Sequence, residues 1–87
     1  MEFDWDDRKA ASNLAKHGVA FEVVYELDWD VARVRIDDRK TYGEVRLLTL
    51  LADPNGLRYL VVFTPRHGKH RIISVRRAGR KEVAQWQ

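Results

Sequence analysis

The sequence predicts an α+β domain with two N-terminal helices, a four-stranded, mainly antiparallel sheet and a short C-terminal helix. Two observations carry this. Apolar residues recur at helical spacing in the first third of the chain and at a period of two from about residue 31 onward. The later segments are joined by "DPNG" and "HG", compact turn sequences that favour antiparallel neighbours. At 87 residues the chain is short enough for one core, so residues 1–87 are read as a single domain.

Each element has its own signal. In "DWDDRKAASNLAKHG", Asp6 and Asp7 favour a helix N-terminus, Ala10, Ala11, Leu14 and Ala15 form an apolar stripe, and Gly18 closes the end. That predicts a helix over residues 7–17. A second, shorter helix follows in "AFEVVYEL", where Phe21, Val24 and Tyr25 are helically spaced and Asp28 and Asp30 mark the exit. Four strands come next, in "VARVRI", "EVRLLTLLA", "LRYLVVFT" and "HRIISVRR", rich in branched and aromatic residues. "GRKEVAQWQ" closes the chain as a short helix that offers Val83 and Trp86 for docking. The helices are expected to pack on one face of the sheet.

Composition excludes several chemistries. The chain has no cysteine, which removes disulfides, thiol nucleophiles and Cys-ligated zinc. No apolar run reaches the length of a membrane span, and "MEFDWDDRK" is too acidic for a signal peptide, so a cytoplasmic protein without a membrane partner is expected. His17, His67 and His70 lack ligand-like spacing, so neither a metal nor another cofactor is expected. GxxxxGK[ST], GxSxG and GxGxxG motifs are absent.

Charge is strongly polarised. Residues 1–30 carry a net −5, residues 31–62 a net +2 and residues 63–87 a net +6. A basic C-terminal third suits a polyanion, although it is also an ordinary way to keep a surface soluble.

A hairpin turning at His67 and Gly68 would set Arg66 opposite Lys69, Thr64 opposite Arg71 and Tyr59 opposite Arg76. Alternation then divides the side chains. One face holds Leu60, Val62, Thr64, Arg71, Ile73, Val75 and Arg77, and an even "DPNG" loop adds Val45, Leu47 and Thr49; this is the expected core face. The other gathers Arg46, His70, Ser74 and Arg76 around Tyr59 and Phe63, cations and rings that suit single-stranded nucleic acid.

Metal-free cleavage of RNA by its own 2′-OH needs a group to take that proton, cations for the developing phosphorane charge and an acid for the leaving oxygen. Lys16 and His17, in the last turn of the first helix, either serve proton transfer or complement the helix dipole. Glu44 and Arg46 are either a base and clamp or an ion pair. Arg66, Arg71 and Arg76 are dense and have few acids near them in sequence, which favours anion binding over mere edge protection. Trp5, Trp29 and Trp86 read as packing residues.

The ordered set "FDWD", "NLAKHGVAFE", "DDRKTYGEVR", "LVVFTPR" and "HRIISVRRA" resembles the BrnT family of bacterial type II toxins. The resemblance implies a RelE-like fold, metal-independent endonucleolytic RNA cleavage that blocks translation, and a hetero-oligomer with a BrnA-type antitoxin that contacts operator DNA. By position it points to Lys16, His17, Glu44, Arg46, Arg66 and Arg76 as catalytic residues, and to Arg71, Ser74, Arg77 and Tyr59 as RNA-binding ones. "AFEVV", "ISVR" and a C-terminal helix less basic than the family's usual one are departures. The competing readings are a non-catalytic nucleic-acid-binding module and an interaction protein whose basic surface meets an acidic partner.

Overall fold

The computed structural model describes residues 1–39 and 41–86. Strand β1 (Phe3–Trp5) leads into helix α1 (Asp7–His17), whose bounds match the sequence expectation. Asp6 caps it, its Oδ1 accepting from the Arg8 N–H at 2.9 Å, and Gly18 ends it in the left-handed region at φ 70°, its N–H donating to Leu14 O. The predicted second helix is instead a 3-10 segment, Phe21–Glu26, followed by a single 3-10 turn, Trp29–Val31. It buries two side chains, Phe21 and Val24, and has no side-chain cap.

Strands β2 (Val34–Ile36), β3 (Leu47–Ala52), β4 (Arg58–Arg66) and β5 (Lys69–Arg77) follow, then helix α2 (Arg80–Gln85). The sheet order is β1-β5-β4-β3-β2. It therefore has five strands and is mixed, correcting the expected four, because β1 pairs parallel with His70–Ile72. Three residues, "FDW", gave no periodicity to read. What holds them is tertiary: His70 N–H donates to Glu2 O, and Phe3 lies 5.1 Å from Trp29.

The last hairpin turns at His67 (φ 55°) and Gly68 (φ 76°), positive φ at both central residues as a type I′ turn requires. Arg66 pairs with Lys69 and Thr64 with Arg71, as expected. Further in, Phe63 pairs with Ile72 but Val62 with Ser74, so Ile73 is the extra residue of a β-bulge. Tyr59 consequently faces Arg77 rather than Arg76.

This bulge and the odd β3–β4 loop overturn the expected facing. Five residues, 53–57, separate β3 from β4, and Leu47 pairs with Phe63. The core face is thus Leu47, Thr49 and Leu51 with Tyr59, Val61 and Phe63, and, on either side of the bulge, Ile72 and Val75. Tyr59 and Phe63 are core residues, not exposed stacking rings. The opposite face carries Arg46, Leu48 and Leu50, then Leu60 and Val62, then Ser74 and Arg76. The two parity breaks cancel across β4, so Arg46, Ser74 and Arg76 still share a face.

The first 3-10 segment and its flanks cover the core face with Val19, Phe21, Val24 and Leu27, and Trp29 locks them by donating its Nε1 to Val24 O at 2.8 Å. Helix α2 lies on the other face, where Arg35 stacks on Trp86 at 3.9 Å and Arg76 pairs with Glu82. Helices therefore flank both faces. Helix α1 closes the edge of β5 beyond the end of β1. There Asn13, 6% exposed, replaces a strand: its amide donates to Val75 O and Val19 O, and its Oδ1 accepts from Val75 N–H.

Candidate active site

Lys9, Ser12, Asn13 and Lys16 recur at i, i+3, i+4 and i+7, which puts them on one side of α1. Once Asn13 is pinned to Val75, that side must look across the sheet face opposite the core. A cleft of about 810 Å³ opens there. Its rim is Lys9, Ser12, Lys16 and His17 from α1; its floor is Arg46, just ahead of β3, with Val62 from β4 and Ile73, Ser74 and Arg76 from β5. The third wall is the join between β2 and β3, through Asp37, Arg39 and Tyr42.

That join is built around a buried carboxylate. Asp37 Oδ1 and Oδ2 accept from Arg39 Nε and Nη2, each at 2.8 Å, and Oδ2 also accepts from the Tyr42 hydroxyl at 3.2 Å. The Arg39 guanidinium holds the Asp37 carboxyl down at about 2, outweighing its burial, and Asp37 in turn raises Arg39 above its ordinary range. The Tyr42 ring carries the Arg46 guanidinium 4.0 Å from its centroid. Arg46 Nε is buried with no hydrogen-bond partner among the described residues, and the Tyr42 ring supports this cation by stacking.

Arg76 is oriented from the other side. Its Nη1 and Nη2 donate to the two carboxylate oxygens of Glu82, whose Oε1 also accepts from Gly79 N–H. The Arg76 guanidinium brings Glu82 down to about 2, while that hydrogen-bonded pairing raises Arg76. Among the described residues the cleft is thus lined by Lys9, Lys16, Arg39, Arg46 and Arg76 against one acid, Asp37, which Arg39 already neutralises. Such a surface concentrates anions, and fixed guanidinium forks suit phosphate oxygens.

A family model described as "Ribonuclease toxin, BrnT, of type II toxin-antitoxin system" matches residues 5–82. The chain belongs to the BrnT family. It is similar to the Brucella abortus ribonuclease toxin, BrnT, known from a crystal structure at 1.1 Å: the two are 27% identical, with a TM-score of 0.68 covering 92% of this chain and 99% of that one. No curated protein matches the chain.

Against the positions that the BrnT resemblance pointed to, the structure sorts the residues into two groups. Lys16, His17, Arg46, Ser74 and Arg76 line the cleft together. Glu44 is exposed beyond Gly43 (φ 73°) and outside the lining, because β3 begins only at Leu47. Arg66 sits exposed at the hairpin tip, and Arg71 is paired with Asp4 at 3.3 Å. Tyr59 is 8% exposed in the core, with Arg77 5.8 Å above its ring, and neither lines the cleft, because the two pair with each other on the core-side face. His70 is packed 4.4 Å from the Phe63 ring, where burial lowers its pKa.

Lys9, Ser12, Asp37, Arg39 and Tyr42 are cleft residues that sequence reasoning passed over. The signal for the first two was present: a polar helical stripe beside the apolar one. Ala11 and Leu14 of that apolar stripe are in fact exposed, and Ala10 is its member packed on the core. Nothing in "DDRKTYG" marks Asp37 as buried, because its burial depends on Arg39 and Tyr42 folding over it.

Proposed function

We propose that this chain is the toxin of a type II toxin-antitoxin pair and an endoribonuclease that cleaves RNA without a metal, blocks translation and is neutralised by a BrnA-type antitoxin, itself the operator-binding partner. One observation carries the reading: Lys16 and His17 from α1, Arg46 from just before β3, and Ser74 and Arg76 from β5 converge on one cation-rich cleft.

In this reading Arg46 and Arg76 receive the scissile phosphate, the first propped by Tyr42 and the second aimed by Glu82. The substrate 2′-oxygen attacks phosphorus and the 5′-oxygen leaves, giving a 2′,3′-cyclic phosphate and a 5′-hydroxyl. A neutral His17 imidazole accepts the 2′ proton, and the Lys16 ammonium returns one to the leaving oxygen. Ser74, on the floor, donates a hydrogen bond to a phosphate oxygen. The two guanidinium groups hold the negative charge that builds on the equatorial oxygens.

The test is incubation of RNA with purified, folded, antitoxin-free chain in excess EDTA. Fragments ending in cyclic phosphate are expected. Salt-sensitive binding with intact RNA at high protein concentration would leave a binding module and reject the enzyme.

A further inference from the structure

The sheet ends at β2, and that edge differs from an ordinary protected margin. Asp37 N–H donates to Arg46 O at 2.8 Å, and Arg33 O accepts from the Thr49 hydroxyl at 2.6 Å, so the backbone groups of residues 33 and 37 point toward β3. Arg35, paired with Leu48, lies between them in the same phase. Antiparallel alternation then turns the N–H and C=O groups of Val34 and Ile36 outward, away from the sheet.

The side chains along this edge are apolar and uncovered. Val34 is opposite Thr49 and Ile36 opposite Leu47, both on the core-side face, yet Val34 is 47% and Ile36 71% exposed. Val45, on the same face as Leu47, is 59% exposed and continues the row diagonally past Ile36. Edges that only need protection carry charge or proline there. On the reverse face the strand bears Arg35, with Arg33 just before it, and Arg35 is held flat by Trp86 and by its 2.8 Å bond to Gln85 O.

We infer that the outer edge of β2 takes up an extended segment of the antitoxin as a sixth strand, with apolar residues laid beside Val34 and Ile36 and acidic residues, alternating with them, beside Arg33 and Arg35. The existence of that partner rests on the toxin reading above; the placement rests on this edge. Backbone bonds to residues 34 and 36 supply a register, and alternate side chains read the two faces. The arrangement lies outside the catalytic cleft lining, so it anchors the antitoxin without using the residues that meet RNA.

The experiment uses the chain co-expressed and purified with its antitoxin. Ile36→Pro removes one outward N–H without touching the β2–β3 ladder, and Val34→Lys places a cation in the apolar row. Each is expected to weaken antitoxin binding by about tenfold or more, equivalent to about 1.4 kcal/mol, while RNA cleavage by the free variant stays at the parental rate. In the parental complex the Val34 and Ile36 amides should gain protection from hydrogen exchange.

Folded variants that bind the antitoxin as tightly as the parent would overturn the inference, as would amides that exchange equally fast in the complex. Should Ile36→Pro fold poorly, Val34→Lys and the exchange measurement decide. Cleavage by the free chain is scored separately. A chain that cuts RNA but shows no protection at β2 rejects the docking edge and leaves the enzyme standing.

Discussion

Glu82 grips Arg76 with both carboxylate oxygens, 2.7 Å from Nη1 and 2.5 Å from Nη2. The cation on the cleft floor is therefore already bound to a carboxylate of α2, in the two-pronged manner it would use for a phosphate. An RNA phosphate must share or displace that carboxylate. Glu82→Gln is expected to tighten RNA binding by about tenfold, or about 1.4 kcal/mol. Fluorescence anisotropy with a short RNA measures it; weaker binding would mean that aiming Arg76 outweighs competing for it.

Asn13 carries a different kind of prediction, because it stands in for a strand. Its amide and carbonyl satisfy both backbone groups of Val75 and tie in Val19 O. Asn13→Ala leaves these groups unpaired in a buried setting, which costs about 1–3 kcal/mol. For a domain this size that is a fall in melting temperature of about 5–15 °C, readable by calorimetry. Asn13→Asp should be no better, since a carboxylate cannot donate to the two carbonyls.

How much of this was legible depends on range. Helix α1, the turns and the strand identities rest on local signals, so Asp6, Gly18 and the His67–Gly68 pair could be read directly. Facing depends on counting residues across loops, and a single bulge at Ile73 set Tyr59 opposite Arg77 and parted it from Ser74 and Arg76. Arg46, Ser74 and Arg76 survived because a second parity change, in the loop after β3, undid the first. Strand β1 and the Asp37 cluster were invisible for one reason: each is stabilised by partners distant in sequence or by a loop folding on itself, and neither has periodicity of its own.

The Asp37 cluster should make the protein acid-sensitive in a defined window. Its carboxyl titrates at about 2, below the ordinary 3.8 of an unfolded chain, so the native state favours the ionised form. That stability is fully present above the unfolded value and is lost as pH falls through about 4 toward 2, on the order of 2 kcal/mol for a side chain this buried. Glu82, also at about 2, acts in the same direction but less, because solvent reaches a third of it. Urea titrations at about pH 6, 4 and 3 should show the loss, and Asp37→Asn should flatten it while lowering stability at neutral pH.

The division of the basic residues into cleft and non-cleft sets gives the sharpest expectation about activity. Lys16, Arg46 and Arg76 line the cleft, whereas Arg66 and Arg77 are exposed elsewhere. Both groups add to the general attraction for RNA, which salt screens. The first group alone is placed to act on charge that develops in the transition state, where one well-placed donor or proton-transfer group is worth about 100-fold. Lys16→Ala, Arg46→Ala and Arg76→Ala should each lower kcat/KM by about that factor at fixed ionic strength, and Arg76→Ala should also abolish growth inhibition while still binding antitoxin. Arg66→Ala and Arg77→Ala should stay within about threefold of the parent, with the deficit vanishing at high salt. A hundredfold loss from Arg66→Ala would move the catalytic centre to the hairpin tip and away from this cleft.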